Sequence, residues 1–197
     1  MKLLLHVCCA PCSIKCVDVL SADEILSDLF WFNPNIHPFT EYRARLDTLE
    51  HFAEVKKLSL VVEGEYALRF FINTVETGKI ATVAERCTFC YRLRLEKTAN
   101  MAAERGYDAF STTLLISPYQ NHELIKQIAE EMAVFYGLKF HYLDFRSFFR
   151  EGQNHARAAG FHMQKYCGCI YSEEERYNTS KGSDAPGGNV ISSGKRK

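Results

Sequence analysis

MKLLLHVCCAPCS, residues 1–13, is the stretch that decides the fold. Lys2 to Val7 is an apolar run without alternation, as expected of a strand covered by helices on both faces. It passes through Cys8, Cys9 and Cys12 into the next helix, so the cysteines fall at the carboxyl edge of the sheet, where open α/β folds place their sites. Outward from it, further β-rich runs are Asp28 to Phe32, Leu60 to Glu63, Asp108 to Thr113 and Lys139 to Phe145. Helical spacing predicts residues 38–57, opening at Pro38, and residues 90–105 and 120–136, closed by Gly106 and Gly137. Strand and helix alternate, which reads as a single α/β domain with a parallel sheet flanked by helices. No repeat or long linker interrupts residues 1–177. The tail, residues 178–197 (NTSKGSDAPGGNVISSGKRK), has almost nothing apolar to bury and is expected to be disordered.

The composition agrees. The chain has 197 residues, 47% of them hydrophobic and 24% charged, which excludes collagen-like, mucin-like and fully disordered classes. A chain of this length buries roughly 70% of the surface exposed on unfolding, so its core needs no metal, and a metal would serve chemistry. Lys plus Arg is 24 and Asp plus Glu is 24, so a polyanionic partner needs a local basic patch. No apolar stretch approaches the roughly 20 residues that span a bilayer. The opening run is short and contains His6, so it reads as a strand and not a secretory leader, and the expected compartment is the reducing cytosol.

In that setting eight cysteines point to metal ligation or redox work. Cys8-Cys9-Ala10-Pro11-Cys12 follows the first strand. Cys87-Thr88-Phe89-Cys90 precedes a helix expected from Tyr91, and Cys167-Gly168-Cys169 stands near the end of the domain. Two pairs converging from strand edges suit a structural zinc or an iron-sulfur cluster. Consecutive side chains tend to diverge, which favours a 4Fe-4S cluster over one tetrahedral ion for Cys8 and Cys9, with zinc and unmetallated core thiols as alternatives. Cys16, one turn after Cys12, reads as a core thiol, and Cys12 stays open between core, ligand and redox use. A disulfide across one intervening residue is strained and readily reduced, so Cys167 and Cys169 read as a redox pair, the alternative being a second metal site or two unpaired thiols.

CCAPC, FNPNIHPFTEYRAR (residues 32–45), RCTFCY (86–91), STTLLISPYQNHELI (111–125) and YCGC together resemble the QueH family of epoxyqueuosine reductases, in the same order over about residues 3–177. The resemblance implies a fold of the adenine-nucleotide hydrolase/PP-loop (HUP-like) group. It also implies a cytosolic enzyme that removes the epoxide oxygen of epoxyqueuosine in a tRNA anticodon without cobalamin, the last step of queuosine biosynthesis. By residue-wise match, Cys8, Cys9, Cys87 and Cys90 correspond to the 4Fe-4S ligands and Cys167 and Cys169 to the redox-active pair. An additional iron beside the cluster and an unidentified electron donor complete the expectation.

Deoxygenating an epoxide consumes two electrons and two protons and releases water, so an electron store, an oxophilic metal and an acid are needed. His122, Asp144 and Tyr119 lie near expected strand ends but read as structural, and His6 as a core histidine. Arg43, Arg45, Arg86, Arg92 and Arg94 are candidates for a local phosphate-binding patch, with Tyr42 and Tyr91 as candidate stacking platforms. Two other classes remain in view, a PP-loop tRNA thiolation enzyme and a zinc-stabilised RNA-binding module. The first needs a glycine-rich phosphate loop where this chain reads CCAPCS.

Overall fold

The structure, a computed structural model, describes residues 1–178; the tail expected to be disordered lies almost wholly outside them. Strand β1 (Lys2–His6) is the centre of a five-stranded, all-parallel sheet, with β2 (Leu26–Trp31) and β3 (Leu60–Val62) on one side and β4 (Ala109–Thr112) and β5 (Lys139–Phe140) on the other, in the order β3-β2-β1-β4-β5. Leu3, Leu4 and Leu5 are fully buried, as the uninterrupted apolar run requires. Burying each such side chain contributes about 1.5–3 kcal/mol, so the central strand is held by apolar burial on both of its faces. The direction of winding reverses between β1 and β4, and it is at the carboxyl ends of such a pair that open α/β sheets place their ligand sites.

The α-helices of the described residues are α1 (Ala10–Ala22), α2 (Phe39–Lys56), α3 (Leu68–Thr77), α4 (Val83–Glu104), α5 (His122–Tyr136), α6 (Phe149–Ala158) and α7 (Ile170–Tyr177). Helix α1 packs against α6 and α2, and α4 against α5. The expected strands and long helices are present, but β5 is shorter than expected, and three helices were not read from the sequence: α3, α6 and α7. Helix α4 also begins seven residues ahead of its expected start. Thr82 accepts from the Glu85 N–H while the Glu85 carboxylate accepts from the Thr82 N–H, a capping box that holds the first turn. Cys87 and Cys90 therefore lie inside α4, on one face three residues apart, and do not precede it.

A small apolar cluster separate from the main core joins Phe71 and Val75 of α3 to Cys90 of α4, with Cys169 and Tyr171 packed on it. Helix α3 thus forms a floor beneath two of the three cysteine motifs. Among the described residues no helix is long and apolar enough to cross a membrane.

Candidate functional site

The turn from β1 into α1 builds the first part of the site. Cys9 is the N-cap of α1 with extended backbone (φ −176°, ψ 159°), and Pro11 occupies the first turn, where its missing N–H costs nothing. This turn aims Cys8, Cys9 and Cys12 at one another: their sulfurs lie within 4.8 Å mutually, and all three are buried. Cys8 Sγ is 3.9 Å from Cys9 Sγ, so these consecutive side chains converge, contrary to the expectation that they diverge. Sulfurs of a tetrahedral zinc site, at about 2.3 Å from the metal, stand at about that separation. The spacing therefore does not separate zinc from a cluster. Cys12, left open by the sequence, belongs to the triad.

Three thiols this close act on one another. Hydrogen bonds from Cys12 and then Cys9 hold the Cys8 thiol well below its usual range, whereas Cys12 is pushed up by its bonds with Cys8 and Cys9, and Cys9 by burial. The Cys8 backbone N–H also reaches Thr113 Oγ1, at 3.4 Å, beyond the end of β4. Cys16 is fully buried, with its thiol pushed up by desolvation, in keeping with a core role.

The second part is the face of α4. Burial pushes the Cys90 thiol up to about 12 against the opposing effect of Arg94, and it raises half-buried Cys87 as well. Arg94 donates from Nη2 to Cys90 Sγ at 3.1 Å and from Nε to the Cys90 carbonyl at 3.0 Å. Its charge is felt by Cys90, Cys8 and Cys167, so it stands electrically between the three motifs. Cys87 and Cys90 are outside the tight Cys8, Cys9 and Cys12 group.

The third part is the Cys-Gly-Cys loop, whose cysteines are free thiols, Cys167 exposed and Cys169 half-buried. Burial raises Cys169 to about 11. Buried Arg45 of α2 clamps this loop, donating from Nη2 to the Tyr166 carbonyl at 3.0 Å and from Nη1 to the Cys167 carbonyl at 3.2 Å. Its Nε donates to Glu41 Oε1 at 2.6 Å, and Glu41 Oε2 meets His162 Nε2 at 3.0 Å. The Gly168 carbonyl accepts from the His37 N–H at 2.8 Å, and the Tyr166 hydroxyl donates to the His37 carbonyl. Gln164 Nε2 reaches Cys12 Sγ at 3.4 Å, tying the approach to the loop to the triad. The three cysteine motifs thus share one neighbourhood at the carboxyl edge of the sheet.

The expected arginine patch does not form. Arg45 and Arg94 are buried beside the cysteines; Arg86 lies over the Tyr171 ring and pairs with Glu175; Arg43 pairs with Asp47 and Glu50, and Arg92 with Glu131. Tyr42 accepts from Trp31 Nε1 and Tyr91 donates to Gln120 Oε1, so both are buried, hydrogen-bonded side chains and not stacking platforms. His6 bonds Thr112 Oγ1 at 2.9 Å and is held neutral by burial, its pKa lowered to about 4. Asp144 is hydrogen-bonded to Arg146, which lowers its carboxyl to about 2; Tyr119 is exposed, and His122 bonds the Ser117 carbonyl from the first turn of α5.

Comparison with known proteins decides what this thiol-rich edge belongs to: the family model described as epoxyqueuosine reductase QueH matches residues 3–175. The chain belongs to the QueH family. Among its curated relatives, the epoxyqueuosine reductase QueH of Dehalococcoides mccartyi is 36% identical over 176 residues, covering 89% of this chain and 94% of that one. That of Thermotoga maritima is 36% identical over 181 residues, covering 88% and 91%. The fold resembles a predicted subunit of tRNA methyltransferase from Methanocaldococcus jannaschii, with a TM-score of 0.52 at 12% identity over 92% of this chain and 87% of that one; this likeness speaks to fold alone. The family places the chain away from ATP-dependent thiolation, and the turn agrees, because residues 8–13 offer no glycine to cradle phosphate.

Proposed function

We propose that this chain is a cytoplasmic epoxyqueuosine reductase, an oxidoreductase that converts epoxyqueuosine in tRNA to queuosine. The observation that carries the reading is the family match along residues 3–175, which spans all three cysteine motifs. In this reading Cys8, Cys9, Cys87 and Cys90 hold a 4Fe-4S cluster, and Cys167 and Cys169 are the redox pair. The donor set suits such a group. It is all sulfur, it is largely buried, and within the triad Cys8 is predisposed to be thiolate. When bound, the cluster supplies one-electron transfer and a Lewis-acidic site.

The rest falls to the chain. The step balances when two thiols become one disulfide: the pair gives up two electrons and two protons, the epoxide oxygen leaves as water, and the two ring carbons become an alkene. Cys167, exposed, is the sulfur within reach of an external electron donor, while Cys169 sits against the apolar cluster with Cys90. Arg45 and the His37 backbone hold the loop that carries them.

The test is anaerobic purification with iron, sulfide and zinc analysis, followed by turnover on tRNA bearing epoxyqueuosine. Iron and sulfide together, with iron at least equal to sulfide and queuosine formed, is the expected result. Cys167→Ser and Cys169→Ser are expected to keep the iron and lose multiple turnover. Zinc without sulfide, or turnover undiminished in both serine variants, overturns the assignment.

A further inference from the structure

Arg94 is 4% exposed and carries a charge that a guanidinium does not give up in a protein. Buried cations are ordinarily matched by carboxylates. The other fully buried arginine follows that rule, Arg45 being paired with Glu41. Arg94 is held differently. Its hydrogen bonds go to the carbonyl and the sulfur of Cys90, the aromatic face of Tyr91 lies 5.8 Å from its guanidinium carbon, and the charges that act on it are those of Cys90, Cys8, Tyr91 and Cys167. The polar partners of this cation are therefore a sulfur and a main-chain carbonyl in place of a carboxylate. Spacing on α4 makes the arrangement rigid, because residues four apart on a helix lie one above the other and the Nε bond to the Cys90 carbonyl anchors the fork. The Thr98 hydroxyl also bonds the Arg94 carbonyl from the next turn.

We infer that Arg94 is a positioning residue for the redox centre: it orients Cys90 Sγ and, as a fixed positive charge among the three cysteine motifs, raises the reduction potential of a cluster bound there. The inference rests on the cluster reading above. Reduction adds negative charge to the centre. A cation fixed in a low-dielectric site stabilises the reduced form more than the oxidised one, and a hydrogen bond to a ligand sulfur acts in the same sense.

The experiment compares wild type, Arg94→Gln, Arg94→Lys and Arg92→Gln, purified anaerobically. Iron and sulfide content, thermal melting and the midpoint potential from spectroelectrochemical titration are measured for each. Arg94→Gln is expected to shift the midpoint to more negative potential. Arg94→Lys, which keeps the charge without the fork, is expected to fall between it and wild type. Arg92→Gln removes an exposed charge on the same helix, one paired with Glu131, and is expected to leave the midpoint at the wild-type value. An Arg94→Gln protein with wild-type iron content and an unmoved midpoint overturns the inference. If the glutamine variant folds but loses its iron, retention in the lysine variant supports the role of charge, and equal loss in both overturns it. Wild-type protein free of iron and sulfide is a separate result that removes the cluster reading and, with it, the role assigned to Arg94.

Discussion

Replacing Gly168 with alanine is the sharpest test of how the Cys-Gly-Cys loop is held. Gly168 has φ +114°, a conformation that L side chains rarely adopt, and an added Cβ would lie 3.0 Å from Ile36 Cγ1, 3.3 Å from Arg45 Nη1 and 3.4 Å from Ile36 Cα. The backbone strain alone costs about 1–3 kcal/mol. Ile36 is 1% exposed and one of the contacts is to its backbone, so relief by moving the neighbour is small, and crowding adds about 1 kcal/mol or more. A combined cost of about 3 kcal/mol corresponds to about a hundredfold change in an equilibrium constant. That cost falls on the docked loop, so the loop opens more often and half-buried Cys169 reacts faster. The assay is timed alkylation with mass spectrometry resolving each thiol. Cys169 in Gly168→Ala is expected to react up to about a hundredfold faster than in wild type, while buried Cys16 keeps its rate. A Cys169 rate within twofold of wild type, with an unchanged melting temperature, would refute the claim that this glycine is required by both its dihedral and its close packing.

Other outcomes follow from the same geometry. Arg45→Lys, which loses the two-carbonyl fork, is expected to raise Cys169 alkylation as well, and its effect should be non-additive with Gly168→Ala because both act on one docking equilibrium; strict additivity in the double variant argues against the clamp. Alanine at Cys8, Cys9, Cys87 or Cys90 is expected to lower iron and sulfide and abolish turnover, whereas Cys12→Ala keeps most of both; equal loss at Cys12 would move it into the ligand set. His37 is fully buried against Tyr66 and Phe71, and burial lowers its pKa from 6.5 to about 4. Between those values the unfolded chain binds the proton and the folded one does not, so stability is full above about pH 6.5 and falls as pH drops towards 4, by up to about 3 kcal/mol from this residue. In denaturant titrations His37→Phe should flatten that pH dependence, with His6 left to supply the remainder in the same sense.

The parallel sheet and the place of the Cys8-Cys9-Cys12 motif were legible in the sequence because both follow from short-range pattern, whereas Cys87 and Cys90 lie inside a helix they were expected to precede. An apolar run such as Leu3-Leu4-Leu5 must be covered on both faces wherever it lies, and the residues that follow a parallel strand stand at its carboxyl edge by topology alone. Helix α4 starts ahead of its periodicity because its signal, Thr82-Val83-Ala84-Glu85, is local capping chemistry that periodicity does not reveal. Tertiary structure decided what pattern cannot carry. Whether Cys8 and Cys9 diverge or converge depends on the extended backbone of Cys9 at one turn. Arg45 and Arg94 look in sequence like other helical arginines, and only the fold buries them. The carbonyls that hold Arg45, on Tyr166 and Cys167, are 121 and 122 residues away, and the thiols of Cys8 and Cys167 that share the charge of Arg94 come from opposite ends of the chain. A charge on a helix face is solvated unless something distant packs over it, and over Arg45 it is the Cys167-Gly168-Cys169 loop that does so.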